Sequence, residues 1–166
     1  MVDSRDGVAY VKRFAHDAAA WRMMRYPEGG STVAVCTSET WTEIEVLSPE
    51  VYLDPGQATT LATTWSACRL AGTLRSVNAA GIVVAPLTAV VAAGQLHCEG
   101  SYGVFARGRA VVRVVGSGTI LADCPATPLK PLIISVDVVN PAVAQGLELV
   151  IITDKGEDIL DRYQFP

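Results

Sequence analysis

Histidines and their neighbours are the first residues of this sequence to examine for chemistry. His16 precedes Asp17, and His97 precedes Cys98 and Glu99. A histidine can act as a general base near neutral pH, and a cysteine beside it could serve as the nucleophile. Adjacent residues on a strand point to opposite faces, however. We therefore predict that His97 and Cys98 do not form a catalytic pair.

Two further patterns resemble parts of enzyme sites without completing them. Residues 116–119 read GSGT, like the beginning of a phosphate-binding loop, but the lysine of such a loop is missing, so we predict a hairpin turn. Glu43 and Glu45 would share one face of a strand, and glycosidases use a carboxylate pair. Because Thr and Glu residues surround this pair, we interpret the face as solvated. The sequence also lacks GxSxG and HExxH, and we predict no catalytic centre.

Four cysteines are spread widely along the chain, at Cys36, Cys68, Cys98 and Cys124. None belongs to a CxxC pair, so the sequence predicts neither a compact zinc site nor any other metal or cofactor. Charged residues occupy the amino end in place of the apolar run of a signal peptide, which argues against an oxidising compartment. We therefore expect free and mostly buried thiols.

The composition favours a protein that other chains partly cover. Half of the residues (50%) are hydrophobic and 18% are charged, which argues against disorder and favours an oligomer. The charges occur in blocks: residues 27–68 contain acidic side chains and no Lys or Arg, whereas residues 69–130 are mainly basic. Such blocks suit complementary contacts between copies or with a partner, and they suit separately solvated faces equally well.

Charge and hydropathy argue against two classes of partner. The net charge of −4 argues against a specific nucleic-acid binder, because phosphate contacts need a concentrated basic surface. The only long uncharged stretch, residues 76–98, is interrupted by Asn, Gln, Gly and Pro. It does not provide the roughly 20 consecutive apolar residues of a membrane-spanning helix, so we predict no membrane association.

The amino-terminal segment is predicted to be either a helix or an extended arm. In residues 8–26, Phe14 and Trp21 belong to a set of apolar residues at helical spacing, and a proline and two glycines follow the set. An arm that lies on a neighbouring subunit is the alternative. We therefore divide the chain into residues 1–28, with Phe14 and Trp21 as candidate partner contacts, and a β-rich domain at 29–166.

Beyond this segment the sequence is typical of a β domain, with short runs of Val, Ile and Thr between Gly and Pro. The predicted fold is mainly β, a single antiparallel β-sandwich or barrel-like domain. Residues 58–68 predict a weak strand or an irregular connection, and the prolines of residues 125–131 predict a loop. The clearer predicted strands are 32–36, 40–47, 104–115, 119–122, 132–139 and 147–153.

Three arginines on the predicted strand 104–115 are the most specific charged feature. Alternation along a strand would place Arg107, Arg109 and Arg113 on one face. Like charges this close repel each other unless something negative faces them. The candidate counterparts are the acidic block 27–68, the acidic carboxyl-terminal tail and a partner protein. We favour protein over nucleic acid because no aromatic residues alternate with the arginines.

The carboxyl-terminal tail combines acidic residues with an aromatic ending. Tyr163 and Phe165 follow several carboxylates that begin at Asp154. Aromatic side chains at the end of a charged segment suggest docking, and another subunit is one surface on which they could dock. Tyr163 and Phe165 are therefore candidate partner contacts, together with the three arginines.

The middle of the chain also carries a family resemblance. Residues 79–124 read AAGIVVAPLTAVVAAGQLHCEGSYGVFARGRAVVRVVGSGTILADC. This succession of short apolar runs and glycine turns resembles the small Gly- and Ala-rich β proteins that decorate bacteriophage capsids. The resemblance covers about a quarter of the chain, and it is a texture that contains no catalytic or ligand-binding motif.

The resemblance implies a capsid decoration, or cement, protein that is not an enzyme. Such a protein is a β-sandwich or barrel-like domain, often a trimer, on the outer surface of the virion where subunits of the major capsid protein meet, and it is made in the host cytoplasm. By analogy, residues 1–28 would clamp a neighbour or the coat. Three alternatives stay open: an enzyme whose site forms between subunits from His16, Asp54, His97 and Glu99, a phage tail or head-completion adaptor, and a cellular β-barrel binding module.

Overall fold

Antiparallel strands make up the regular structure of the described residues. The computed structural model describes residues 2–5, 7–19, 32–40, 42–139 and 145–166. The prediction of a mainly β fold is confirmed. The strands are β1 (Val2–Arg5), β2 (Val8–Phe14), β3 (Val33–Thr37), β4 (Thr42–Val46), β5 (Thr63–Arg69), β6 (Ser76–Val77), β7 (Gly81–Ala92), β8 (Gln95–Val104), β9 (Gly108–Val114), β10 (Ile120–Ala126), β11 (Leu132–Val139), β12 (Gly146–Thr153) and β13 (Gly156–Gln164).

The chain divides into two compact units. The smaller unit contains residues 12–65, and the larger unit contains residues 2–11 together with 66–166. The division falls within β2 and β5, which lie side by side in a three-stranded sheet of order β1-β2-β5. It therefore differs from the division at residue 28 that the sequence suggested, and residue 28 itself lies outside the described residues.

The smaller unit is built around the hairpin β3–β4. Its register pairs Val33 with Val46. The Lys12 ammonium group donates a hydrogen bond of 3.1 Å to the carbonyl oxygen of Ile44, and it lies 4.8 Å from the centre of the Trp65 ring. A cation over an indole face is an attractive contact. Lys12 therefore joins β2 to the hairpin and to β5 within this unit.

Two four-stranded antiparallel sheets form most of the larger unit. Sheet I has the order β11-β8-β7-β6, and sheet II has the order β10-β9-β12-β13. The chain passes from sheet I to sheet II after β8, returns for β11 and goes back for β12 and β13. Each sheet therefore contains one pairing between strands that are distant in sequence, β8 with β11 in sheet I and β9 with β12 in sheet II.

One hydrophobic core draws side chains from both sheets. Leu96, Cys98 and Tyr102 of sheet I are fully buried in it, and each alternates with an outward-facing residue. This is the pattern of antiparallel sheets with one face on a core. Burying a leucine-sized side chain stabilises a fold by about 2 kcal/mol. The buried members from sheet II are Ala110, Val112, Val114, Ala126, Leu147, Leu149, Ile151 and Leu160.

The predicted continuous strand 104–115 is wrong at its start. β8 ends at Val104, a turn covers residues 105–107, and β9 begins at Gly108. The turn is the point at which the chain leaves sheet I for sheet II. A Cβ atom on Gly108 would collide with the carbonyl oxygen of Ile152, so the close approach of β9 to β12 requires glycine here. Residue alternation cannot reveal a change of sheet, because alternating types continue through the turn.

The predicted helix over residues 8–26 is also wrong at its start, although residues 18 and 19 are helical. Residues 8–14 form strand β2, and Trp21 lies outside the described residues. Ala9 and Val11 are buried beside Cys68 and Leu70 in a second apolar cluster. Burial at every second residue fits a strand. The apolar residues of 8–14 therefore match helical spacing only by coincidence.

The predicted proline loop at 125–131 begins two residues too early, because β10 continues to Ala126. Pro125 belongs to β10 and lies opposite Arg109 of β9. β10 is at the edge of sheet II, where a residue without an N–H group need not interrupt a ladder of hydrogen bonds. The predicted strand 132–139 is confirmed as β11, and the predicted strand 147–153 is confirmed within β12.

The turn between β7 and β8 gives a first testable prediction. It consists of Ala93 and Gly94, whose φ angles are 48° and 74°. Two positive φ angles define the tight hairpin turn in which Asn-Gly is favoured, and the left-handed region costs alanine about 1 kcal/mol. Ala93→Asn is therefore expected to raise the free energy of unfolding by about 1 kcal/mol in urea titrations.

The neighbouring alanine provides the control. Ala92 is also exposed but lies within β7, where asparagine is unfavourable. Ala92→Asn should bring no gain in the free energy of unfolding. Equal effects of the two substitutions would contradict the assignment of the benefit to the backbone conformation of residue 93.

Candidate partner interface

The outer face of sheet II, the side away from the core, carries two of the three predicted arginines. Arg113 on β9 donates from Nε to Glu148 (2.8 Å) and from a terminal nitrogen to Glu157 (2.9 Å). Glu148 is 13% exposed, and Arg162 lies 3.5 Å from its second oxygen. The hydrogen bonds to Glu148 and Glu157 raise the pKa of Arg113, so its charge is fixed. Carboxylates of β12 and β13 therefore face this arginine within its own chain.

Arg109 is paired in the same way with the neighbouring edge strand. Its guanidinium group makes a two-pronged contact with Asp123 of β10, with 3.0 Å between Nε and one oxygen. This contact lowers the pKa of Asp123. A carboxylate with a lowered pKa stabilises the fold above its ordinary pKa, and that contribution is lost as the pH falls through the folded-state value. Both side chains are well exposed, so the pair contributes little overall.

Two valines under these ion pairs are buried although they lie on the outer face. Val111 is 1% exposed and Val150 is 0% exposed, and the register places them directly opposite each other on β9 and β12. Arg113 lies opposite Glu148 and also reaches Glu157, which pairs with Ile152. We infer from this diagonal reach that its side chain passes over the position of Val150. Arginine stems cover apolar surface in this way while the charged group stays in water.

Arg107 does not join the two paired arginines on β9. Arg107 lies in the turn between β8 and β9, so the expectation that all three arginines share one strand face is wrong. Phe14 is half-buried at the end of β2, and it belongs to the smaller unit. Trp21 lies outside the described residues.

The aromatic ending of the chain packs on its own domain. The rings of Tyr163 and Phe165 meet edge to face, with 5.1 Å between their centres, and both are half-buried against the core shared by the two sheets. The segment that the sequence presented as an acidic tail is strand β13, at the edge of sheet II. Such edge-to-face pairs stabilise a fold beyond their buried area.

A surface that the sequence analysis missed lies on the outer face of sheet I. The exposed fractions of its apolar side chains are 62% for Val90, 56% for Ile133 and 67% for Val139. In β11 the exposed residues alternate with Leu132 and Ile134, which are buried in the core. Alternation in the predicted strand 132–139 could have shown this, because hydrophobic residues occupy both of its faces.

His97 lies on this surface between two carboxylates. Its Nδ1 atom is 2.8 Å from Asp137 of β11, and its Nε2 atom is 3.7 Å from Glu99. The hydrogen bond to Asp137 is the main cause that raises the pKa of His97. Its contribution to stability is complete below the ordinary pKa of 6.5 and is lost as the pH rises through the folded-state value. The imidazole is exposed, so this effect is modest.

Beside His97, the outer face of sheet I contains a shallow depression of about 430 Å³. Its wall includes Glu99, Ser101 and Arg75. The register of β7 shifts between Val83 and Ala85 and again before Thr88, so the strand bulges at the depression. The hydroxyl oxygen of Ser101 is buried there, and no described residue bonds to it. These side chains offer polar contacts beside exposed apolar ones.

The two histidines considered for chemistry belong to different units. His16 lines a depression of about 420 Å³ in the smaller unit. His97 is exposed whereas Cys98 is buried in the core, which confirms that they face opposite sides of β8. All four cysteines are free; burial raises the pKa of Cys68 and of Cys98 to about 11. Thiols of this kind remain protonated at neutral pH and are weak nucleophiles.

Comparisons with models of protein families, with curated proteins and with solved structures find no match for this chain. Within the described ranges, no helix is long and apolar enough to cross a membrane. In the same ranges, no group of three or more His, Cys, Asp and Glu side chains is arranged to hold a metal ion. The geometry of the two sheet faces is therefore the basis for a functional proposal.

Proposed function

We propose that this protein is a non-enzymatic structural protein that decorates and stabilises a bacteriophage capsid as an oligomer. The observation that carries the proposal is the outer face of sheet I, where large apolar side chains such as Val90, Ile133 and Val139 are more than half exposed. Exposed apolar residues gathered on one face of a sheet mark surfaces that other proteins cover. The partners are further copies of the chain and the major capsid protein of the virion surface.

The architecture supports this role in a second way. Two four-stranded sheets that share one core are the arrangement of a β-sandwich, which we propose as the fold. A domain of this kind has two outer faces, one on each sheet, and here the two faces differ in their polarity. Sheet II presents arginines and carboxylates that pair within the chain, whereas sheet I presents apolar side chains around His97, Asp137 and Glu99. We assign the partner contact to the face of sheet I.

A repeated lattice suits a surface of this kind. Each chain would make a contact of modest area with the coat. Because the chains of one oligomer are linked, the free energies of their identical weak contacts combine into stronger overall binding. The trimer implied by the family resemblance would place three copies around one point of the coat lattice. The exposed apolar side chains of sheet I would be covered by these contacts, which accounts for their presence on a soluble block.

Light scattering of the purified chain tests the oligomer, and co-sedimentation with empty tailed-phage capsids stripped of decoration proteins tests the partner. We expect an assembly of three chains, or a multiple of three, that pellets with the capsids. Val90→Glu, which places a charge on the apolar face, should weaken co-sedimentation at least tenfold, whereas Val35→Glu in β3 of the smaller unit should not. A clean monomer that ignores capsids would contradict the proposal.

A further inference from the structure

The outer edge of strand β11 is the least protected edge of the two large sheets. β11 runs from Leu132 to Val139 and pairs with β8 on one side only, in a register without any shift. No described strand pairs with its other side. An edge strand exposes a row of backbone N–H and C=O groups, and an unprotected edge is a template for pairing with another strand.

The remaining edges of these sheets carry the features that prevent such pairing. β10 contains Pro125 and a register shift after Ile120. β13 is strongly charged, and β6 has only two residues. Prolines, bulges, charges and shortness are the means by which proteins protect their edges. β11 has eight residues, no proline, no lysine and one charged side chain, Asp137.

We propose that β11 pairs with β11 of a second copy of this chain, antiparallel and around a two-fold axis. The four strands of sheet I in each copy would then form one continuous sheet. A two-fold axis brings the same edge of both copies together, so the contact must be complementary to itself. The sequence of β11 meets this requirement in one register.

In that register Val136 of each copy lies opposite Val136 of the other. On the outer face of the sheet, Ile133 meets Val139 of the second copy, and these are the large apolar side chains that β11 exposes to solvent. Ser135 meets Asp137 and can donate a hydrogen bond to the carboxylate oxygen that His97 does not use. Apolar groups face apolar groups, and the acid faces a hydroxyl.

Neighbouring registers lose this complementarity. A shift of two residues in one direction places the two Asp137 side chains opposite each other, and like charges in that position repel. A shift of two residues in the other direction places Asp137 opposite Ile133. A shift of one residue joins opposite faces of the two sheets and exposes the core side chains. The centre at Val136 is therefore the favoured register.

Disulfide cross-linking tests the register directly. In a Cys36→Ser/Cys98→Ala background, which removes the exposed native thiol and the native thiol that lies opposite residue 136 on β8, Val136→Cys places the cysteines of two copies opposite each other. Directly opposite Cβ atoms are about 5 Å apart, close enough for a disulfide after a small adjustment. We expect most of the oxidised protein to run as a linked pair on a non-reducing gel. Val138→Cys, half-buried on the same face, is the matched control and should remain unlinked.

A second pair of variants tests whether the edge holds the copies together. Ile133→Lys places a charge opposite Val139, and Ile120→Lys places the same charge on the edge strand of sheet II. The two isoleucines are equally exposed, at 56% each. By sedimentation, Ile133→Lys should raise the dissociation constant of the pair at least tenfold, whereas Ile120→Lys should leave it unchanged.

Several outcomes would overturn the pairing: an unlinked Val136→Cys variant, equal linking of the Val138→Cys control, or an Ile133→Lys variant of unchanged mass. The inference does not rest on the capsid proposal. In a threefold assembly the contact would join two trimers, so an isolated trimer also counts against it. A capsid-binding protein without the cross-link contradicts the pairing alone, and a cross-linked pair that ignores capsids contradicts the decoration role alone.

Discussion

Asp161→Ala is expected to lower the free energy of unfolding by about 3 kcal/mol, because it leaves two buried donors without an acceptor. One carboxylate oxygen of Asp161, on β13 of sheet II, accepts hydrogen bonds from the Tyr102 hydroxyl (3.0 Å) and the Leu87 backbone N–H (2.7 Å). Both donors belong to sheet I, and the residues Tyr102 and Leu87 are 0% and 2% exposed. The carboxylate therefore joins the two sheets, and urea titration of the variant measures the loss.

Two further variants separate this role from a general effect of the strand. Asp158→Ala removes an exposed carboxylate from the same strand and should change the free energy of unfolding by less than about 0.5 kcal/mol. Tyr102→Phe removes one of the two donors and should cost about 1 kcal/mol. In the double variant Asp161→Ala/Tyr102→Phe the two losses should not add, because the residues share one hydrogen bond. Full additivity would contradict the bond.

Burial reinforces the hydrogen bond of Tyr102. Desolvation is the main cause that raises the pKa of its hydroxyl, and the charge of Asp161 raises it further. The hydroxyl therefore keeps its proton near neutral pH and acts as a donor to Asp161. Unlike His97, this residue introduces no pH dependence near neutrality.

The contacts of Asp161 show why the sequence could not reveal the way in which the sheets are joined. Its hydrogen-bond partners are 59 and 74 residues away in sequence. Alternation of residue types reports which face of a strand is buried, and it reports nothing about which strands become neighbours. The strands 132–139 and 147–153 were predictable for this reason, whereas the order β10-β9-β12-β13 was not.

The errors at residues 8–14 and 104–107 have related causes. In 8–14 a few apolar residues match both helical and strand spacing, and burial of Ala9 and Val11 by Cys68 and Leu70 favours the strand. At 104–107 the alternation continues through the turn that takes the chain from sheet I to sheet II. The spacing of apolar residues in 8–14 was therefore ambiguous. At 104–107 the alternation of residue types could not show that the chain turns from one sheet to the other.

The candidate interface was predictable in one respect only. The sequence indicated that carboxylates must face the arginines of β9, and an acidic tail was among the candidates. Glu157 does come from that segment, whereas Glu148 and Asp123 come from β12 and β10. Pairing within the chain leaves these arginines with less capacity to bind a partner. The apolar face of sheet I, which alternation in β11 could have indicated, is the surface that we propose for the partner contact.

The paired arginine nearest the buried valines should matter most for the stability of sheet II. Arg113→Ala is expected to lower the free energy of unfolding by about 2 kcal/mol, between the values typical of exposed and of buried ion pairs. The loss has two sources: Glu148, which is 13% exposed, keeps only the longer contact with Arg162, and Val150 loses the cover that we infer from the path of the arginine stem. Urea titration measures the total loss, and its dependence on salt concentration measures the part that comes from the ion pair.

Arg113→Met separates these two sources, because methionine keeps an apolar stem over Val150 but has no charge for Glu148. We expect it to recover about half of the loss caused by Arg113→Ala, and we expect that recovery to be independent of salt. Arg109→Ala, on the same strand and in a well-exposed pair, should have the smaller effect. Equal losses for Arg113→Met and Arg113→Ala would show that the charge alone matters, and that Val150 is covered by something other than the arginine stem.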